Sequence, residues 1–209
     1  YIQQITGKAP LQIIALTPKT DKDGNIIIDP ARGAPNPNKA VAKDFGAATS
    51  PWALGITNTF RYRNFTLSFL VDGKFGGKVF SNTNFVAYVQ GLAKETVPGR
   101  DKTYGTNGEA PSQYYGNWAS ANQGMFVYDA SFIKLRQIIL GYNFPVKFFH
   151  NRIQGIRLSF VTRNVWTLLK HTPNIDPEAS YSASIYSQGL ESAEVPYSRN
   201  FGLNLNVKF

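Results

Sequence analysis

The last ten residues, Asn200-Phe201-Gly202-Leu203-Asn204-Leu205-Asn206-Val207-Lys208-Phe209, alternate without a miss between polar and apolar side chains. A period of two is the pattern of a β-strand with one apolar and one polar face. Phe201, Leu203, Leu205, Val207 and Phe209 share one face; Asn200, Gly202, Asn204, Asn206 and Lys208 share the other. Strands of soluble proteins typically run ~5–6 residues, whereas a tilted strand needs about 9–11 to cross a bilayer. A long alternating strand ending on an aromatic residue fits either the last strand of a soluble β domain or the closing strand of an outer-membrane β-barrel. The rest of the chain has to separate the two.

Three further stretches repeat the pattern. In residues 52–62, Trp52, Leu54, Ile56, Asn58, Phe60 and Tyr62 alternate with Ala53, Gly55, Thr57, Thr59 and Arg61. After a tight Arg63-Asn64 turn, residues 65–75 do the same. Residues 130–144 change phase: Ile133 and Leu135 have one parity, Ile138, Leu140, Tyr142 and Phe144 the other. One extra residue restores the phase, so a β-bulge is expected near Arg136-Gln137. Residues 156–168 make a fourth strand, and a shorter one is expected near 10–16. Between them the chain is polar. Residues 29–51, with Pro30, Pro35, Pro37 and Pro51, read as loop. So do 99–127, rich in Gly, Asn, Ser and Tyr, and the proline-containing stretch between the fourth strand and the terminal one. Asp21-Lys22-Asp23-Gly24-Asn25 reads as a turn before a strand at Ile26-Ile27-Ile28, a short helix is expected within 84–95, and 146–155 read as a turn. Long loops of this kind count against a compact soluble domain and are ordinary at the extracellular end of a barrel.

Composition narrows the function classes. Charged residues make up 17% of the 209, against roughly 25% in soluble domains. No run approaches the ~20 apolar residues of a transmembrane helix, and mean hydropathy is −0.24, as expected where polar lumen faces dilute apolar ones. Cysteine is absent, which excludes disulfides and thiolate metal sites. The 22 Lys and Arg give a net charge of +9, but they are scattered, and a nucleic-acid footprint requires clustering. His150 and His171 have no carboxylate partner nearby in sequence, so no catalytic or metal constellation emerges. The Asp21-to-Asn25 stretch lacks the later ligands of a calcium loop, and Gly76-Gly77 opens no phosphate-binding helix. Asp176-Pro177-Glu178 reads as a rigid loop with solvated acids. The chain is read as non-enzymatic, with no cofactor, no metal and no nucleic-acid partner.

One resemblance covers nearly the whole chain. The segment Tyr128-Asp129-Ala130-Ser131-Phe132-Ile133-Lys134-Leu135-Arg136-Gln137-Ile138-Ile139-Leu140-Gly141-Tyr142-Asn143-Phe144-Pro145 resembles a C-terminal motif of the SusC/RagA family of TonB-dependent outer-membrane transporters from Bacteroidetes-type bacteria. Arg163-Asn164-Val165-Trp166, Asp176-Pro177-Glu178 and Val195-Pro196-Tyr197-Ser198-Arg199 resemble further motifs in the family's order, as do the Asp21-to-Asn25 turn and the hairpin ending in Gly76-Gly77-Lys78-Val79-Phe80. The resemblance implies an all-β fold: antiparallel transmembrane β-barrel strands with long extracellular loops. They would form the C-terminal part of a larger barrel, one of the 22-stranded transporters whose lumen holds a plug. The family's N-terminal extension, TonB box and plug have no counterpart here, so residues 1–209 are expected to be the C-terminal portion, with strands near 10–16, 52–62, 65–75, 130–144, 156–168 and 199–209.

The implied function is nutrient uptake: TonB-dependent import of oligosaccharides or peptides through a plugged barrel in the outer membrane. The implied partners are the remainder of the same transporter (plug and upstream strands), a SusD-like lipoprotein lid, the TonB-ExbB-ExbD complex, outer-membrane lipid and the barrel-assembly machinery, which would read the terminal strand through Phe201, Leu203, Leu205, Val207 and Phe209. Loop aromatics Tyr104, Tyr114, Tyr115, Trp118, Tyr181 and Tyr186 are expected to contact substrate or lid. A charge facing lipid at mid-bilayer costs ~2–4 kcal/mol, so Arg61, Lys74, Arg157, Arg163, Asn204 and Lys208 are expected to face the lumen. The alternative is a secreted β-sandwich carbohydrate-binding module, which would need shorter strands packed on both faces.

Overall fold

The computed structural model describes residues 1–145 and 153–209. In chain order the elements are β1 (Ile2–Gln3), β2 (Gln12–Thr17), β3 (Val41–Ala47), β4 (Trp52–Tyr62), β5 (Phe65–Phe75), β6 (Lys78–Ser81), α1 (Asn82–Val89), α2 (Pro111–Ala121), β7 (Val127–Asp129), β8 (Phe132–Phe144), β9 (Gly155–Lys170), β10 (Leu190–Glu191) and β11 (Asn200–Lys208). The five long strands form one antiparallel sheet in the order β11-β9-β8-β5-β4.

The register turns the alternation of each strand into two continuous faces. Leu203, Phe160, Leu140, Leu67 and Phe60 lie directly across from one another, and the next row on that face runs Leu205, Leu158, Tyr142, Phe65 and Tyr62. The intervening row, Asn204, Ser159, Gly141, Thr66 and Arg61, belongs to the opposite face. Nothing described covers the apolar face: Trp52 is 73% exposed and Leu203 75%. A β-sandwich would bury this face under a second sheet, so the sandwich alternative is excluded. Among the described residues the outer edges of β4 and β11 are also unpaired. A long apolar sheet with two open edges is a piece of barrel wall, because closure with further strands and lipid on the apolar side satisfies both features.

The phase change in β8 is a bulge at Arg136, where Leu70 pairs with Gln137 and Val71 with Leu135, skipping Arg136. On the other side β9 answers with its own irregularity between Trp166 and Arg163, with Asn164 in the left-handed region at φ 53°. At one end of the sheet β4 and β5 are joined by the two residues Arg63 and Asn64. Residues 1–51, 76–131 and 171–199 connect at the other end. The expected 146–155 turn, including His150, falls mostly outside the described residues.

The long connections are more structured than their composition suggests. The expected short strand is β2, but it pairs with β1 and β3 in a separate sheet. Its consecutive buried residues Ile13, Ile14 and Ala15 leave it no polar face, and six residues are too few to span a bilayer. The stretch 29–51, read as loop, contains β3. Ile26-Ile27-Ile28 forms no strand; only isolated bridges join Thr20 to Ile26 and Asp29 to Ala34. The expected helix is α1, with Ser81 as its N-cap. The loop 99–127 contains α2, which starts with Pro111 at its first position, where the missing N–H costs nothing. A second small sheet, β10-β6-β7, packs Val79, Ala130 and Ile175 together. Polar ties join the three connections into one cap. Ser81 Oγ donates to the buried Glu191 carboxylate at 2.6 Å, Leu16 N–H to Gln123 Oε1 at 3.3 Å, and Arg32 to Asn117 at 3.2 Å. Among the described residues no helix is long and apolar enough to cross a membrane.

Candidate functional site: the polar face and its aromatic cap

Near the cap, the polar face of the sheet carries Asp72 and Lys74 on β5 and Lys134 and Arg136 on β8. The loop after β9 folds back onto them. Lys134 Nζ donates to Asp176 Oδ1 at 2.7 Å, to Asp176 Oδ2 at 3.0 Å and to Glu178 Oε2 at 2.9 Å. The bulge aims Arg136 so that its Nε reaches Asp72 Oδ1 at 2.7 Å while its Nη2 donates to Glu178. Lys74 Nζ lies 3.7 Å from Glu178 Oε1. Beneath them Phe132 is 1% exposed, with the Lys134 ammonium 5.0 Å from its ring centre. Burial pushes the Glu178 carboxyl up, but the hydrogen bonds from Arg136 and Lys134 outweigh it and hold Glu178 below the usual carboxylate range. Asp176 and Glu178 are therefore not the solvated acids expected of that loop. They are the counter-charges of two strand cations 40 or so residues upstream in the chain, and this network fastens residues 171–199 to the sheet.

Toward the short turn the same face carries Arg61, Arg157, Arg163, Asn204 and Lys208. Register places all of these and Lys74 on the polar side. The Arg157 guanidinium lies beside Gly141: a Cβ there would meet its Nε and Nη2 at 3.0 Å and Ser159 Oγ at 3.2 Å. Among the described residues, Arg61, Arg157, Arg163 and Lys208 form no ion pair.

Four of the six aromatics singled out above converge in the cap. Tyr104 stacks on Tyr114 at 3.6 Å and 11°, Tyr114 meets Trp118 edge-on at 6.4 Å, and Tyr115 packs edge-on against Tyr88 at 5.5 Å. Tyr114, Tyr115 and Trp118 stand on a helix rather than on a loop, because α2 places them on adjoining turns. Together with Tyr88, Glu95, Lys102 and Met125 they line an open cavity of about 470 Å³. That volume lies within the roughly 300–1,000 Å³ of small-molecule sites. The Tyr104 hydroxyl beside it, together with burial, pushes the Tyr115 hydroxyl up to about 12. The Trp118 indole N–H is buried without a partner among the described residues. Tyr181 is 66% exposed and stands apart from this cluster; the Tyr186 side chain lies outside what is described. His171 Nδ1 sits 3.7 Å from Asp129 Oδ1. No group of metal-ligating side chains occurs among the described residues. On β11, Phe201, Leu203, Leu205 and Val207 hold the uncovered apolar side, and Phe209, one residue beyond the strand, is 80% exposed.

Sequence reasoning missed Tyr88, which α1 brings to the cavity, and missed Phe132, Lys134 and Arg136. The phase change at Arg136 was the available signal for the last, since a bulge re-aims a side chain.

No protein-family model matches the chain. Among curated proteins it is 27% identical, over a 209-residue alignment, to TonB-dependent receptor P3 of Formosa agariphila, which covers 97% of this chain and 21% of that one. It is 25% identical over 201 residues to TonB-dependent receptor P39 of the same organism, covering 91% and 19%. The chain is thus similar to TonB-dependent receptors over nearly its whole length. It spans about a fifth of the length of these relatives. Among solved structures, the RagAB peptide importer in its open-open state matches all of this chain and 24% of its own, with a TM-score of 0.70 and 17% identity. The RagAB peptide transporter matches 96% and 23%, with a TM-score of 0.65 and 16% identity. The chain thus has the fold of about a quarter of these larger chains, in keeping with the β-barrel wall that its SusC/RagA-like motifs implied.

Proposed function

We propose that the receptor to which this segment belongs imports oligosaccharides or oligopeptides across the outer membrane of a Bacteroidetes-type bacterium, driven through TonB. Residues 1–209 supply its C-terminal wall and extracellular loops. The observation that carries this reading is the two-faced sheet: long strands with an uncovered apolar side, a polar side rich in Arg and Lys, and every long connection gathered at one end. Such a wall suits lipid outside and a hydrated, plugged lumen inside. Arg61, Lys74, Arg157, Arg163, Asn204 and Lys208 line the lumen. The cap faces the exterior, where a SusD-like lipoprotein closes over it. Tyr104, Tyr114 and Trp118 present ring faces and edges to cargo at the cavity; Tyr181 and Tyr186 meet cargo or lid; Tyr115, being buried, braces the others. Tyr and Trp suit this because they offer large rigid contact area with a polar tip.

The test is growth. A strain deleted for the full-length gene is compared with wild type on oligosaccharide mixtures and on oligopeptide mixtures as sole carbon or nitrogen source. Loss of growth on one class, restored by the intact gene and not by a form lacking its TonB-contacting segment, is the expected result and names the cargo. Undiminished growth on both overturns the proposal.

A further inference from the structure

We infer that Glu191 is a positioning residue for the aromatic cavity: it clasps the first turn of α1 and thereby fixes where Tyr88 stands in the cavity wall. What this means for cargo rests on the reading of the cavity given above. Glu191 is 2% exposed and, among the described residues, forms no ion pair. Its partners are at the N-terminus of α1 instead. Ser81, the N-cap, donates its hydroxyl to Glu191 Oε2 at 2.6 Å and accepts the Asn84 N–H at 3.1 Å. Thr83 donates its hydroxyl to Glu191 Oε1 and accepts the Ala193 N–H at 2.7 Å. Around this pair, Asn82 Nδ2 donates to Ser192 Oγ at 2.9 Å, and the side-chain amides of Asn84 and Asn174 donate to each other at 2.9 and 2.8 Å. Each residue from Ser81 to Asn84 is thus bonded to the connection between β9 and β11.

A short helix is marginal without tertiary support, and α1 has little: none of its residues is buried, and its first turn carries no acidic side chain. Glu191 supplies from elsewhere in the chain the negative charge that a helix N-terminus favours. A carboxylate out of water is tolerated only where its hydrogen bonds are met, so the two hydroxyls and the carboxylate hold one another in place. Both hydroxyls already accept a backbone N–H. Each is left with its single hydrogen to donate, and a carboxylate can take both. Tyr88 lies two helical turns further on, about 10 Å along the axis. There it meets Tyr115 edge-on and Phe126 at 5.8 Å, and it lines the cavity with Tyr104, Tyr114 and Trp118. Tyr104 is held independently. It opens a hairpin whose Thr106 N–H donates to the Pro30 carbonyl at 2.9 Å and whose Asn107 N–H donates to the Ala31 carbonyl at 3.1 Å. A tilt of α1 at its first turn therefore moves Tyr88 and leaves the Tyr104–Tyr114 stack where it is.

The experiment uses the full-length receptor in detergent, its barrel checked by heat-modifiable migration on a denaturing gel. Tyrosines are iodinated from the water phase, and mass spectrometry gives the rate at each one. Wild type is compared with Glu191→Gln and Thr83→Val, which break the same clasp from opposite sides. Loss of one hydrogen bond to a buried charge releases Tyr88 about tenfold more often, so its iodination should quicken by that factor in both variants. Tyr104 and Tyr114 should keep their wild-type rates. An unchanged Tyr88 overturns the inference, as do equal rises at Tyr88, Tyr104 and Tyr114. Loss of heat-modifiable migration in both variants also overturns it, by assigning the clasp to the fold as a whole. Cargo is read separately, with the oligosaccharide or oligopeptide mixture that supports receptor-dependent growth. Glu191→Gln should weaken its binding no further than Tyr88→Ala does, and the two together should add nothing, as for residues that act through one another. Additive losses overturn the inference. Wild-type binding in every variant, with Tyr88 released, overturns the cargo reading of the cavity and leaves the positioning by Glu191 standing.

Discussion

The two halves of the polar face solve the same electrostatic problem differently. Near the cap, Lys134 is nearly buried, and a buried ammonium is tolerated only with its hydrogen bonds satisfied; the Asp176-Pro177-Glu178 loop satisfies them and is itself fixed by doing so. Near the short turn, Arg61, Arg157, Arg163 and Lys208 stay exposed and unpaired among the described residues. The cap half holds the bulge at Arg136 and the irregularity in β9, whereas the strands toward the short turn pair without interruption. A loop also returns to one half and not to the other. A cationic strand residue near the cap is therefore a structural element, and one near the short turn is exposed surface.

The sharpest way to break this contrast is to delete the buried ammonium. Lys134→Met leaves Asp176 and Glu178 against Phe132 with no central cation, and removing one member of a buried pair costs about 3–5 kcal/mol. Residues 171–199 of the full-length receptor should then open, and limited proteolysis should cut there at least a hundredfold faster, by the conversion of about 1.4 kcal/mol per factor of ten. Unchanged cleavage would mean that the loop is held by something other than these charges.

Acid gives a smaller and graded version of the same effect. Glu178 has a folded pKa below its ordinary value, so the stability it lends the loop is fully present above the ordinary carboxylate pKa and is lost as pH falls through the lower folded one. The protection factors of amides in residues 171–199, which correct for the intrinsic pH dependence of exchange, should be constant from neutral pH down to the ordinary carboxylate pKa and should fall as pH drops below it toward the lower folded one. Glu178→Gln should remove that acid step. The short-turn half has no carboxylate of its own, so its described strands should show no matching step, and finding one there would erase the distinction between the halves.

These contrasts explain what could be read in advance. The long strands were legible because alternation is a local property, and the extra residue at Arg136 showed itself as a broken phase within a single strand. The helix α2 was not, because Ser112, Gly116 and Asn117 are poor helix formers; it is held by tertiary burial of Tyr115 and Ala119, with only Pro111 as a local sign. β3 was lost because Lys43 and Asp44 interrupt its apolar pattern. The aromatic residues of the cavity were recognisable by type, but their meeting depends on α1 and α2 lying side by side. The partners of Lys134 were the least accessible, since no local rule links a strand lysine to two acids in a loop that follows the next strand.

The finest test lies at Gly141, beside the Arg157 guanidinium. Glycine in a strand interior is less stable than alanine by roughly 0.5–1 kcal/mol, so Gly141→Ala should gain about that much if nothing opposes it. The new methyl would approach the guanidinium at 3.0 Å, which is tight, but the atoms it meets are the far end of a flexible side chain. The sign therefore reports on Arg157. If that side chain is free to swing aside, thermal unfolding of the full-length receptor in detergent should shift slightly upward. If a neighbouring group pins the guanidinium against the wall, the methyl cannot be accommodated and the shift should be slightly downward; the double variant Gly141→Ala with Arg157→Gln should then lose that penalty. An upward shift in the single variant would place Arg157 among the unpinned surface cations and return the short-turn half to a merely solvated face.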